Sequence, residues 1–249
     1  DRNPQGSIGP VHYHAWDEEA IREKIKNHPL IQDPEAWKKP RPFRLLIMQT
    51  LTYDGTIYNV REVLKRVGHL CEYILFDEAW GSFLKFHPLF DHNGALVLEV
   101  GPDDPGIVST QSTHKQLSVF SQASQICVKD HPLEGPQRRC EHKRLNEADL
   151  VHASTSPFYP LWASLDVGNQ MMKGRNGLHL SNEPNRTATE IRKAVRELQK
   201  QFIEEAGSEE EKWFFDPFVP DKVTIKGSAH HEDVTDMPWE DIPTEVLLK

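Results

Sequence analysis

Residues 43 to 77, FRLLIMQTLTYDGTIYNVREVLKRVGHLCEYILFD, decide the fold. Phe43 to Met48 is an apolar run broken only by Arg44, with prolines at 40 and 42 on one side. A run this short and this apolar predicts a strand buried on both faces. Thr52-Tyr53-Asp54-Gly55 predicts a turn at its carboxyl end. From Asn59 to Leu70 the apolar residues Val60, Val63, Leu64 and Val67 recur at helical spacing, and Gly68 marks the stop. Tyr73 to Phe76 is a second apolar run, ending in Asp77. Strand, helix, strand in that order is a βαβ unit with parallel strands and a right-handed crossover.

Working outward, Ile107 to Thr110 and Gln125 to Val128 read as further strands of the same sheet, so the fold class is α/β. Beyond residue 130 a polar loop leads to a helix from about Pro160 to Met172, ended by Gly174. Between Thr187 and Ala206 the positions Ile191, Val195, Leu198 and Phe202 form one face of an amphipathic helix. Upstream, residues 1 to 16 predict an irregular lead-in, Asp17 caps a short helix carrying Ile21 and Ile25, and His28 to Pro42 is loop-like. The tail from Trp213 is expected to be irregular, tied down by Trp213, Phe214 and Phe215.

The chain has 249 residues, 29 Lys+Arg against 38 Asp+Glu, and a formal net charge of -9. That balance argues against a general binder of phosphate backbones, whose footprint is basic. Its three cysteines, Cys71, Cys127 and Cys140, are odd in number and widely spaced. They suggest neither a disulfide framework nor a CxxC metal site, which fits a reducing cytoplasm. His12-Tyr13-His14 and His230-His231-Glu232-Asp233 lack metal-site spacing and read as loops, as Glu209-Glu210-Glu211-Lys212 reads as a solvated helix end. No apolar stretch proposes a transmembrane helix, and the polar start is no signal peptide, so the chain reads as soluble. Both ends read as interior positions of a longer polypeptide.

In open α/β sheets ligands gather beyond the carboxyl ends of the strands. Three polar groups fall there: Thr52-Tyr53-Asp54, Asp77, and Ser112-Thr113-His114-Lys115. An acid closing one strand and a lysine following another are what a Schiff-base site requires. The lysine must act as a neutral amine although its ordinary pKa is about 10.4, so a desolvated pocket is expected around it. A carboxylate opposite a pyridine nitrogen keeps that nitrogen protonated, and the ring then accepts the electrons of a broken bond. On the residues alone, a lysine such as Lys115 is more often a solvated surface residue and an acid such as Asp77 by default a turn former or cap, while Trp80 also reads as core and Ser112, Ser154 and Thr155 as caps.

At these positions the chain resembles the bacterial-type ornithine, lysine and arginine decarboxylases. The likeness rests on Phe76-Asp77-Glu78-Ala79-Trp80, Thr110-Gln111-Ser112-Thr113-His114-Lys115, Phe120-Ser121-Gln122-Ala123-Ser124 and Ser154-Thr155-Ser156-Pro157-Phe158-Tyr159-Pro160, in matching order and spacing. Arg2-Asn3-Pro4-Gln5-Gly6, Tyr58-Asn59 and Gly68-His69-Leu70-Cys71 support it. Cys127 departs from the histidine usual at its place.

The resemblance implies an aspartate-aminotransferase-like (fold type I) large domain, a mainly parallel sheet flanked by helices. It implies a partial pyridoxal-phosphate-binding domain over 1–206 and an irregular connection over 207–249 towards a further carboxyl-terminal domain. It also implies pyridoxal 5'-phosphate held by Lys115 as a Schiff base, with Asp77 at the pyridine nitrogen and Trp80 beside the cofactor. Ser112 and His114 match residues near its phosphate and ring, and Ser154 or Thr155 matches a hydroxyl offered to the phosphate of a neighbouring subunit. The expected protein is therefore a homodimer with a shared active site, a higher homo-oligomer being left open. The expected reaction is decarboxylation of a basic amino acid, with Lys115, Asp77 and His114 as the catalytic set. Ornithine, giving putrescine, fits the Gly68 to Cys71 segment and Arg2 to Gly6 best. Lysine and arginine remain open, Glu78 being arginine-like. The rival of another class is a catalytically silent partner of an intact decarboxylase.

Overall fold

A computed structural model describes residues 11, 13–53, 55–131, 140–206 and 236–244. The sequence expectations at Arg2 to Gly6, His12, Asp54, Glu209 to Lys212, Trp213 to Phe215 and His230 to Asp233 lie outside these residues, as does most of the connection expected over 207–249. The chain divides into two compact units, one of Asp1–Lys85 with Phe90–Gln170, the other of Phe86–Leu89 with Met171–Lys249.

The first unit opens with helix α1 (Glu18–Lys26), preceded by Asp17 in extended conformation, although the Asp17 side chain makes no capping hydrogen bond. Strand β1 (Phe43–Gln49), helix α2 (Val60–Val67) and strand β2 (Cys71–Asp77) follow as the βαβ unit. Asn59 starts α2 by accepting the N–H groups of Arg61 and Glu62 on its side-chain oxygen, both at 3.1 Å. Such a cap contributes about 0.5–2 kcal/mol. Strands β3 (Gly106–Gln111) and β4 (Gln125–Lys129) complete a sheet of order β1-β2-β3-β4. The pairs β1/β2 and β2/β3 are parallel and β3/β4 is antiparallel. The crossover from β2 to β3 uses the 3-10 turns Leu84–Phe86 and Ala95–Val97 where an α-helix is usual.

Strand alternation divides the sheet into two unlike faces. On one, Met48, Ile74, Phe76 and Ile107 pack against Val60, Val63 and Val67 of α2 and against Ala95 and Leu98 of the crossover. Valine is a mediocre helix former, and here the packing of its branched side chain outweighs that propensity. The other face carries Leu45 (44 % exposed), Ile47 (66 %) and Ile126 (55 %). This corrects the expectation that β1 is buried on both faces: an apolar run shows what a strand is able to bury, and among the described residues only one side of β1 is covered. Gly106 sits where a Cβ would lie 2.3 Å from Cε1 of Tyr73, so close packing of β2 on β3 excludes any side chain there.

Two further corrections concern helices. Helix α3 (His142–His152) occupies part of the expected polar loop. It buries no residue and leaves Leu150 and Val151 exposed, so it lacks the apolar stripe by which a helix shows itself in sequence. Helix α4 (Tyr159–Met171) matches its expected span. Gly174, expected to end it, instead begins α5 (Gly174–Ala206) at φ +61°, a left-handed conformation that suits glycine. Helix α5 therefore starts well before Thr187, and Pro184 within it hides the continuity.

The second unit holds α5 together with buried His87 and a 3-10 turn at Trp239–Asp241. The Leu89 N–H donates to His87 Nδ1 at 3.1 Å, which leaves Nε2–H to donate to Asn182 Oδ1 at 2.8 Å. Lys193 donates to the carbonyl of buried Ile242, and Lys200 pairs with Glu240 at 3.3 Å.

Two outcomes test this packing. Phe76 is fully buried, and Phe76→Ala is expected to lower unfolding free energy by about 3–5 kcal/mol in denaturant titration. Cys71, also fully buried, donates to the Val67 carbonyl, and burial pushes its thiol from 9.0 up to about 12. An acid whose folded pKa exceeds its unfolded value leaves stability intact below the lower figure and removes it as pH rises towards the upper one. Thermal midpoints are therefore expected to fall between pH 9 and 12, and Cys71→Ala is expected to flatten that slope.

Candidate active site

The parallel register places the carboxyl ends of β1, β2 and β3 on one edge. Gln49 pairs with Asp77, and Asp77 with Thr110. Asp77 is the last residue of β2 and is half-buried. Its Oδ1 accepts the Ala79 N–H at 3.0 Å, a short Asx-type turn that fixes the side chain at the strand end. Among the described residues Oδ2 has no donor, so one carboxylate oxygen is left to accept from a ligand. The Asp77 carbonyl meanwhile accepts the Thr50 N–H at 3.0 Å, tying the ends of β1 and β2 together.

Lys115 ends a 3-10 turn, Thr113–Lys115, in the connection 112–124 between β3 and β4. That connection is folded by local hydrogen bonds: Lys115 N–H to Ser112 O, Leu117 N–H to Thr113 O, and Ala123 N–H to Phe120 O. Gln122 has φ 73°, uncommon for a residue with a side chain. The turn around it lets Ala123 O accept the His114 N–H at 3.2 Å, which closes the loop behind Lys115. Thr113 is buried, and among the described residues its Oγ1 has no hydrogen-bond partner.

The Lys115 Nζ stands 4.9 Å from the centroid of the Trp80 ring, three residues beyond Asp77. A cation over an indole face is attracted by the ring quadrupole, by about 0.5–1 kcal/mol at an exposed site. Trp80 is in turn met edge-on by Tyr53 at 5.5 Å, from the segment after β1. Residues following all three parallel strands thus converge, as the sequence places them. Lys115 itself is exposed and forms no ion pair among the described residues. The desolvated pocket expected around it is not supplied by those residues: Trp80 covers one side only.

Ser112 precedes the turn and His114 lies within it, both half-buried. Ser154 and Thr155 lie in the exposed segment between α3 and α4, where Ser154 Oγ accepts the Ser156 N–H at 3.2 Å. Nothing among the described contacts brings them to Lys115. Among the described residues there is also no cluster of three or more metal-ligating side chains. No helix there is long and apolar enough to cross a membrane.

Sequence reasoning missed Glu78. It is 1 % exposed, and its carboxylate accepts from Ala95 N–H (2.6 Å), Ser109 Oγ (2.6 Å) and Gln111 Nε2 (3.0 Å). Its position directly after a strand-ending acid was the available signal. Burial also pushes the Cys127 thiol up, with the nearby Glu78 carboxylate adding to the effect.

Comparison with known proteins bears on these residues. The family model described as "Orn/Lys/Arg decarboxylase, major domain" matches residues 1–245. The constitutive ornithine decarboxylase of Escherichia coli is 44 % identical over 99 % of this chain and 31 % of its own length. The ornithine decarboxylase of Haemophilus influenzae is 41 % identical over 99 % of this chain and 30 % of its own. Among solved structures, E. coli constitutive lysine decarboxylase superimposes with a TM-score of 0.69 at 29 % identity, covering 90 % of this chain and 28 % of that one. Matching proteins named as arginine or lysine decarboxylases are 31–34 % identical. The chain thus spans less than a third of the length of these relatives.

Proposed function

Since this chain belongs to the ornithine/lysine/arginine decarboxylase family, we propose that it carries the cofactor-binding heart of a pyridoxal-phosphate-dependent decarboxylase acting on ornithine. The observation that supports it best is the meeting of Lys115 Nζ with the Trp80 ring, beside a strand-ending Asp77 whose Oδ2 is free of donors among the described residues. The higher identity to ornithine enzymes than to lysine or arginine enzymes favours ornithine. The architecture, a mixed sheet with flanking helices, is consistent with an aspartate-aminotransferase-like fold of type I.

The residues present suit the cofactor. Lys115 would hold it covalently, and the Asp77 carboxylate would keep the pyridine nitrogen protonated by accepting a hydrogen bond from its N–H. Trp80 would lie beside it, with Ser112 and His114 near phosphate and ring. Ser154 or Thr155 would offer a hydroxyl to the phosphate in a neighbouring subunit, which makes the working unit a dimer. When bound, pyridoxal phosphate supplies the electron sink for the pair released with carbon dioxide. The chain's own share is orientation and charge: the Asp77 carboxylate is pre-set by the Ala79 N–H, so it needs no rearrangement to meet a protonated nitrogen. Trp80 keeps water from one side of the Lys115 amine and restricts where that amine points.

Incubation of the intact protein with pyridoxal phosphate, borohydride reduction and peptide mapping is expected to place the label on Lys115. Label spread over surface lysines with none at Lys115 would refute the assignment. Carbon dioxide release is expected to be fastest from ornithine among ornithine, lysine and arginine. Release from none of the three would support the silent-partner reading instead. Lys115→Ala and Asp77→Asn are each expected to lower the rate by about 10²-fold or more.

A further inference from the structure

We propose that Glu78 is a positioning residue that sets the Lys115 loop relative to Asp77, an inference that rests on the decarboxylase reading above. Asp77 and Glu78 are neighbours, so their side chains leave opposite faces of the strand end. Asp77 faces the candidate cofactor site. Glu78 turns into the core, where it is 1 % exposed. Its backbone N–H donates to Thr110 O at 2.9 Å, continuing the β2/β3 ladder by one residue.

Three donors from separate places converge on the Glu78 side chain. Oε1 takes the Ala95 N–H of the crossover. Oε2 takes the Ser109 hydroxyl and the Gln111 amide of β3. Gln111 then accepts from Gln125 Nε2 at 2.6 Å, and Gln111 and Gln125 are register partners across β3 and β4. These two glutamines are the stem of the connection 112–124 that carries Lys115. Glu78 therefore ties the peptide after Asp77 to β3 through its backbone N–H, while its carboxylate holds the crossover and the β3 leg of the lysine loop directly and reaches the β4 leg through Gln111. It touches neither Lys115 nor the expected cofactor, so its action is through the stem. Burial stiffens the hold on Ala95 N–H and the Ser109 hydroxyl, donors that would otherwise be left unsatisfied, whereas Gln111 is half-buried and its bond to Gln125 is exposed.

The donor directions suggest a swap as the test. Gln111→Glu sets two carboxylates against each other at the stem without altering Asp77, Lys115 or Ala95. Adding Glu78→Gln restores a donor–acceptor match. The new amide oxygen meets the fixed Ala95 N–H, and its NH₂ donates both to the new carboxylate, which still accepts from Gln125, and to Ser109 Oγ, whose hydroxyl turns from donor to acceptor. In the intact protein, pyridoxal phosphate with borohydride would be used to label lysines, and thermal unfolding would be followed in parallel. Gln111→Glu is expected to lower Lys115 labelling about tenfold or more while surface-lysine labelling stays constant, since small misplacement of a reacting group is costly. The double variant is expected to recover labelling to within about threefold of the unaltered protein, because the two sites form one network.

The proposal is overturned if folded Gln111→Glu labels Lys115 like the unaltered protein. It is equally overturned if the double variant regains the unfolding midpoint without regaining the label, which would make Glu78 a purely structural residue. Should Gln111→Glu fail to fold, the double variant alone decides on the same two measurements. An unaltered protein that never labels at Lys115 removes the decarboxylase reading and this inference together. One that labels normally while the variants are indifferent removes this inference only.

Discussion

The parallel pairing of β1 with β2 and β2 with β3 is the constraint from which the rest follows. It sends the carboxyl ends of three strands to one edge, so the residues following each strand become neighbours although they are far apart in sequence. Tyr53, Asp77 with Trp80, and Lys115 are the polar and aromatic groups delivered in this way. Packing of Val60, Val63 and Val67 on Ile74 and Phe76 holds that pairing, and the close approach of Gly106 to Tyr73 lets β3 lie against β2. Core and site are thus linked through register: a slip of one residue would turn Asp77 into the core and Glu78 out of it.

The same strand ends show how two adjacent acids acquire different work. Asp77 is pinned through one oxygen and left half-exposed, an arrangement suited to meeting a ligand. Glu78 is wholly enclosed and saturated by donors, which suits it to holding protein to protein. Chemistry of the side chain is nearly identical in the two cases. Strand alternation alone separates their roles.

Much of this was legible in the sequence where periodicity was strong. The βαβ unit, the strands at 106–111 and 125–129, α4, and the placing of Asp77 and Lys115 after their strands all follow from apolar spacing and turn residues. Helix α3 was hidden because it buries nothing, and the start of α5 because Pro184 and the polar residues around it break the apolar rhythm. The exposure of Leu45 and Ile47 was unreadable for a different reason. Hydrophobicity records affinity for a partner surface, and whether that surface is present is not a local property. The Glu78 network was invisible because its donors lie on the crossover and on β3, distant in sequence, and one of them is a backbone group that no residue type announces.

The bare side of the sheet has a practical corollary. Leu45 and Ile47 on β1 and Ile126 on β4 lie on this same face, exposed apolar surface that water accommodates poorly. Excluded salts such as ammonium sulfate strengthen contact between surfaces of this kind, whereas dilute urea weakens it. Preparations of the chain will therefore salt out early and bind tightly to hydrophobic chromatography media, and low ionic strength will be the milder condition for handling it.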